Sequence, residues 1–141
     1  MSVTFHTEEI NFELTRKLLH KHWIKEWIAK NSKTPGSLSF VFTSNERIKL
    51  INQEYLNHNY FTDVISFDYT EGDLISGDIF ISVEEVKKNA DYYGASLDDE
   101  LRRVMIHGVI HLLGYQDGNK EEKAIMRKKE NEALHLWLKL V

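Results

Sequence analysis

The sequence predicts an α/β (α+β) fold: a small mixed sheet of about four strands covered by about five helices, in a single layer-type domain over residues 1–141. Three observations predict it. Short β-rich runs interleave along the chain with helical apolar stripes. Helix-capping signals stand ahead of those stripes. The composition, 42% hydrophobic and 28% charged, is that of a globular chain long enough to bury a core.

The first element is a helix over Phe12 to Lys30, with apolar residues at Leu19, Trp23 and Trp27 and at Ile24 and Ile28, and with Asn11 as its cap. The stretch 31-NSKTPGS-37 holds the one proline and reads as a turn. Ser37 to Phe42 is β-rich. Thr43 to Glu46 forms a capping box, and Ile48, Ile51 and Tyr55 continue as a helix face. Two strands follow, 62-TDVISFDY-69 and 75-ISGDIFISV-83, joined across EGD. A capping box from Ser82 to Glu85 opens a helix that runs to Gly94. A third, Ser96 to Asp99, opens one that stops near Gly114. Asn119 to Glu122 starts the last helix, with Ile125, Met126, Ala133, Leu134 and Trp137 as its inner face.

The charge balance excludes some partners. A formal net charge of -4 gives no global field toward nucleic acid or an anionic membrane, so any nucleic-acid site has to be a local patch, and DNA is not expected as a partner. The absence of cysteine excludes disulfides and thiolate metal sites and fits a reducing compartment. The start, MSVTFHTEEI, has no basic region leading into an apolar run, and no stretch reaches membrane-spanning length, so the expected location is the cytoplasm. Arg102, Arg103, Lys120, Arg127, Lys128 and Lys129 are the candidates for a local basic surface, diluted by Glu121, Glu122 and Glu130. Trp23, Trp27 and Trp137 lie on helical stripes and read as core.

The run 107-HGVIHLLGYQD-117 is the informative one. His107 and His111 stand four residues apart, so a helix presents both imidazoles on one face, one turn apart. Each ring buried among Val, Ile and Leu needs a partner, and leaving one unpaired costs about 1–3 kcal/mol. Gly114 can end the helix, and the returning chain can bring Asp117 to the same point in space. Three such donors leave one tetrahedral position for water, as in catalytic rather than structural zinc sites. The alternatives are two buried histidines bonded to backbone carbonyls, with Asp117 as a turn residue of 117-DGN-119.

The chemistry of such a site has several readings. H-x-x-x-H-x-x-G-x-x-D follows the long zinc-protease pattern, but a peptidase needs a glutamate directly after the first histidine, and that position is Gly108. Two histidines and a carboxylate also match the triad of non-haem iron oxygenases, which need a cosubstrate pocket that the sequence does not signal. Ser66 and Ser76 are not set in a nucleophile elbow. Asp63 and Asp78 are candidates for carboxylates that orient His107 or His111.

These residues resemble a known family. The run 107–117 is similar to the H-G-x-L-H-L-x-G-Y-D-H signature of the YbeY family of metal-dependent endoribonucleases, 62-TDVISF-67 resembles its T-D-V-L-S-F strand, and Gly77-Asp78-Ile79 resembles the G-D-I that opens its next strand. The resemblance covers most of the chain from about residue 38 onward. It implies a mixed sheet with surrounding helices and one Zn2+ held by His107, His111 and the residue at 117. It also implies action on single-stranded RNA at the 3′ end of small-subunit ribosomal RNA, in rRNA maturation and ribosome quality control.

Two positions depart from the family pattern. Asp117 stands where the family has its third histidine, with Gln116 where it has aspartate, and an anionic ligand draws less electron density from the zinc water. Leu56 stands where the family has an arginine, and a leucine cannot fork onto phosphate. His58, two residues on, is the candidate catalytic or phosphate-contacting residue in its place. The expectation is thus a zinc-dependent endoribonuclease. The alternatives are a ribosome-assembly, RNA-binding factor with a largely structural zinc and, below both, a zinc metallopeptidase.

Overall fold

A computed structural model describes residues 2–57 and 62–141. Among these, four strands and five helices follow in the order β1 Val3–Thr7, α1 Lys17–Lys30, β2 Thr34–Thr43, α2 Asn45–Tyr55, β3 Val64–Asp68, β4 Leu74–Ser82, α3 Val83–Tyr93, α4 Leu97–Leu112 and α5 Lys120–Leu140. The sheet order is β1-β2-β4-β3, with β1, β2 and β4 parallel and β3 antiparallel to β4. This is the expected α/β fold with a mixed sheet. β1 was not read from the sequence; it aligns Val3 with Leu38 and Phe5 with Phe40 on the parallel neighbour β2.

Strand alternation splits the packing into two layers. Leu38, Phe40 and Phe42 of β2 and Ile75, Ile79 and Ile81 of β4 meet α1, α3, α4 and α5 in the main core, together with Trp23, Trp27 and Trp137. A smaller cluster on the opposite face joins Ile65 of β3 to Ile48 and Ile51 of α2. The indole Nε1 of Trp23 donates to the carbonyl of Ala133 at 2.7 Å, which satisfies its one polar atom inside the core and ties α1 to α5.

Local chemistry sets most helix starts where the sequence places them. The side chains of Ser82, Ser96 and Asn119 accept from the backbone N–H of Glu85, Asp99 and Glu122. Four readings are corrected. α1 begins at Lys17, not Phe12: Phe12 packs its ring on Phe42 at 5.2 Å, Leu14 is buried, and Arg16 takes a left-handed conformation, so Asn11 caps nothing. Ser44, not Thr43, caps α2, because Thr43 still pairs with Ser82 in the sheet. Pro35 belongs to β2 rather than to a turn, at the place where the pairing register shifts before Leu38. Ile125 is exposed, and Glu130 takes its place in the buried face of α5.

Candidate metal centre

α4 brings the two imidazoles together. Gly108, between them, faces the sheet: a Cβ there would stand 2.8 Å from Ile79 Cγ2 and 3.1 Å from Ser66 Oγ. The missing carbon lets α4 settle on β4 and β3, and it leaves His107 and His111 on the outer side of that contact, facing a cleft of about 490 Å³. Val64, Ser66 and Asp63 line the cleft from the β3 edge, and Asn52 and Leu56 line it from the end of α2. A glutamate at 108 would be driven into the sheet, so the peptidase base is excluded by packing as well as by sequence.

Each ring is held by its Nδ1. His107 Nδ1 lies 2.7 Å from Oε2 of Glu130, and His111 Nδ1 lies 2.9 Å from the carbonyl of Tyr115. A carboxylate and a carbonyl only accept, so both Nδ1 atoms carry the proton and, in the neutral rings, both Nε2 atoms present lone pairs. Those Nε2 atoms stand 3.0 Å apart. Asp117 Oδ2 completes a triangle with them, 3.3 Å from His107 Nε2 and 3.6 Å from His111 Nε2.

Zinc bonds of 2.0–2.1 Å in a tetrahedron set neighbouring donor atoms about 3.3 Å apart, the size of this triangle. Three electron-rich atoms converging on one point repel one another unless a cation or a proton lies between them. The donor set therefore fits a metal ion with an open fourth position, and His107, His111 and Asp117 form the group among the described residues that could hold one.

The loop geometry explains how Asp117 gets there. α4 ends at Leu112, and Gly114, at φ 104°, reverses the chain in a conformation that side-chain-bearing residues rarely adopt. Tyr115 then packs against the core and turns its carbonyl to His111. The Asn119 cap and the bond from Gly118 N–H to Glu122 Oε1 fix the start of α5 at Lys120, with only Gly118 and Asn119 between it and Asp117.

Electrostatics concentrate around Glu130. Burial works against its carboxylate, but hydrogen bonds from His107 and from Arg103, whose Nη1 lies 2.9 Å away, outweigh this and hold its pKa below the usual carboxylate range. For His107, burial disfavours the imidazolium, yet the bond to Glu130 and the charges of Glu130, Asp117 and Asp63 raise its pKa. Burial also pushes Asp63 upward, opposed by His107; its Oδ2 accepts from the amide of Asn89 at 3.1 Å.

The carboxylate that orients His107 is thus Glu130, not Asp63 or Asp78. Asp78 lies on the opposite sheet face, where it bonds Tyr69. Sequence reasoning grouped Glu130 with surface acids, although Met126, Glu130, Ala133 and Trp137 follow a helical spacing in which it is the one charge. Ser66 lines the cleft, with its hydroxyl 3.5 Å from the Gly108 carbonyl, and Ser76 accepts from the backbone N–H of Ser37. His58 lies outside the described residues. Of the basic candidates, Arg102 pairs with Asp99 and covers Trp137, and Lys129 bonds Asn31.

Fold and cleft define the class: an α/β protein with a three-donor, open-sided centre of the kind that metal-dependent hydrolases carry. A sequence model described as Endoribonuclease YbeY matches residues 2–137. An Endoribonuclease YbeY of Bacteroides thetaiotaomicron is 44% identical over 134 residues, covering 95% of this chain and 98% of that one. One from Flavobacterium psychrophilum is 44% identical over 129 residues, covering 92% of each. A Thermotoga maritima protein solved in solution superposes with a TM-score of 0.67 at 25% identity, over 96% of this chain and 89% of that one. The chain belongs to the endoribonuclease YbeY family.

Proposed function

We propose that this protein is a zinc-dependent endoribonuclease that cuts single-stranded RNA in the cytoplasm. Its substrate is ribosomal RNA at the 3′ end of the small subunit, in maturation and quality control. The observation that carries the metal dependence is the triangle of Nε2, Nε2 and Oδ2 atoms at 3.0, 3.3 and 3.6 Å, sized for one zinc ion per chain. Kinship with proteins named endoribonucleases supports the substrate.

The division of labour follows from the geometry. Glu130 and the Tyr115 carbonyl hold the rings so that neither Nε2 has to reorient on ligation. Asp117 adds the anionic donor from the loop. The cleft beside β3 receives the phosphodiester. When bound, the ion supplies positive charge against a phosphoryl oxygen and a more acidic water. Among the described residues, no helix is long and apolar enough to cross a membrane, in keeping with a cytoplasmic site of action.

The cleft favours a second reading in one respect: its described lining includes Asp63, Asp68, Asp117 and Leu56 and no lysine or arginine. An assembly factor with a structural zinc would need no phosphate clamp there. Elemental analysis of the purified protein, followed by assays on single-stranded and duplex RNA, separates the two. The expected result is one zinc per chain and cleavage of the single strand, lost on chelation and restored by zinc. Zinc-replete protein that cuts neither RNA overturns the nuclease reading.

A further inference from the structure

On the far side of His107 from the main cleft runs a second groove of about 290 Å³, between the end of α3, the middle of α4 and the start of α5. It shares Asp63, His107 and Asp117 with the cleft, so an extended ligand seated at the metal centre can continue into it. Its chemistry is different. Arg103 and Arg127 line it beside the carboxylates of Asp63, Asp117 and Glu130, with the amide of Asn89 and the phenol ring of Tyr93. Arg103 is committed to Glu130 and Asn131. Arg127 stands 3.9 Å from Glu130 with 57% of its side chain exposed, so its guanidinium has donors facing outward. Tyr93 is 65% exposed at the last residue of α3, although a large aromatic ring gains most from being covered.

Among the described residues, a polyanion passing the metal centre meets carboxylates, Leu56 and no cation on the β3 side; on the other side it meets the outward donors of Arg127 on α5, next to the Arg103–Glu130 pair. Building on the RNA reading above, we infer that this groove is the subsite for the nucleotide flanking the scissile phosphodiester: Arg127 holds that nucleotide's phosphate and Tyr93 stacks its base. Arg127 thereby supplies, from a different helix, the cation that position 56 lacks. The pairing suits single strands, since a stacking ring reaches only unpaired bases and a guanidinium forks onto any phosphate.

The test is anisotropy titration of a short fluorescent single-stranded RNA, over a salt series, with zinc-loaded and with zinc-free protein. Arg127→Ala is expected to bind about tenfold or more weakly and to lower the slope of log affinity against log salt by about 0.7. Arg127→Lys keeps the slope. Tyr93→Ala weakens binding about fivefold or more and leaves the slope unchanged. The difference persists without zinc, because these side chains do not touch the metal donors, and unfolding midpoints match the wild type. If the wild type binds RNA and both alanine variants match it in affinity and slope, the groove is not a subsite, and the reading of the metal centre stands. If the wild type binds no RNA with or without zinc, the groove and the RNA reading fall together.

Discussion

Glu130 on α5 and His107 on α4 meet through Oε2 and Nδ1 at 2.7 Å, and the same carboxylate takes Nη1 of Arg103 at 2.9 Å. Two helices are therefore joined by the bond that also fixes which nitrogen of His107 faces the other donors. Glu130→Gln keeps the shape but removes the charge that polarises the ring. We expect it to lower zinc affinity by about 10–100-fold with the fold retained, read by titration against a competing chelator alongside circular dichroism.

Asp117 reaches the triangle from a short loop rather than from a helix face, and its side chain is 42% exposed. So exposed a position can take a larger side chain without disturbing the core. Asp117→His is expected to keep or strengthen zinc binding, and Asp117→Ala to weaken it, in the same titration. Equal affinity for alanine and wild type would reduce Asp117 to a turn residue.

Leu56 caps the end of α2 and lines the cleft, 43% exposed. An arginine there would project into a space walled by carboxylates. Leu56→Arg is expected to raise single-stranded RNA affinity by about 1.5–3 kcal/mol, measured by anisotropy at fixed salt. The gain should add to that of Arg127, since the two lie on opposite sides of His107.

His20 is buried against Trp137 and Trp23; its Nδ1 bonds the Arg16 carbonyl, and its Nε2 has no hydrogen-bond partner among the described residues. Burial holds its pKa below the ordinary 6.5. The unfolded chain then binds a proton near 6.5 while the folded one does not, so the His20 contribution is fully present above that pH and is lost as pH falls through the folded value. His20→Phe removes this linkage. The difference in unfolding midpoint between the variant and the wild type should move in favour of phenylalanine as pH is lowered below 6.5, followed by thermal melts. A constant difference would show that His20 does not titrate on unfolding.

Gly108→Ala should cost about 1–3 kcal/mol, read from denaturant midpoints, because the added methyl meets Ile79 and Ser66. Zinc affinity in the variant reports whether the shift of α4 also spreads the two Nε2 atoms.

The helix caps were legible because they are local: Ser82, Ser96 and Asn119 each answer an N–H three residues on. The histidine pair was legible for the same reason, as a spacing on one helix. β1 was not: Val3, Thr4, Phe5 and His6 alternate, but so short a run marks no strand without the parallel partner β2 that holds it. The start of α1 was misread because Phe12 and Leu14 are apolar for tertiary reasons, packing on the core from an irregular segment. Glu130 left a signal, a lone acid in an apolar helical stripe, but its meaning depended on a partner on another helix.

The anchoring of α5 has a consequence for how the protein comes into being. A chain emerging from the ribosome exposes His107 and His111 first, then Asp117, and only later Glu130 and the Ala133 carbonyl that receives Trp23. Until that final helix docks, the first imidazole has no carboxylate to set its tautomer, and α1 has no partner for its buried indole. The nascent polypeptide thus carries all three candidate donors before the carboxylate that orients His107. Completion of the centre therefore waits on the docking of two helices, α4 and α5, and not on the local turn that carries Asp117.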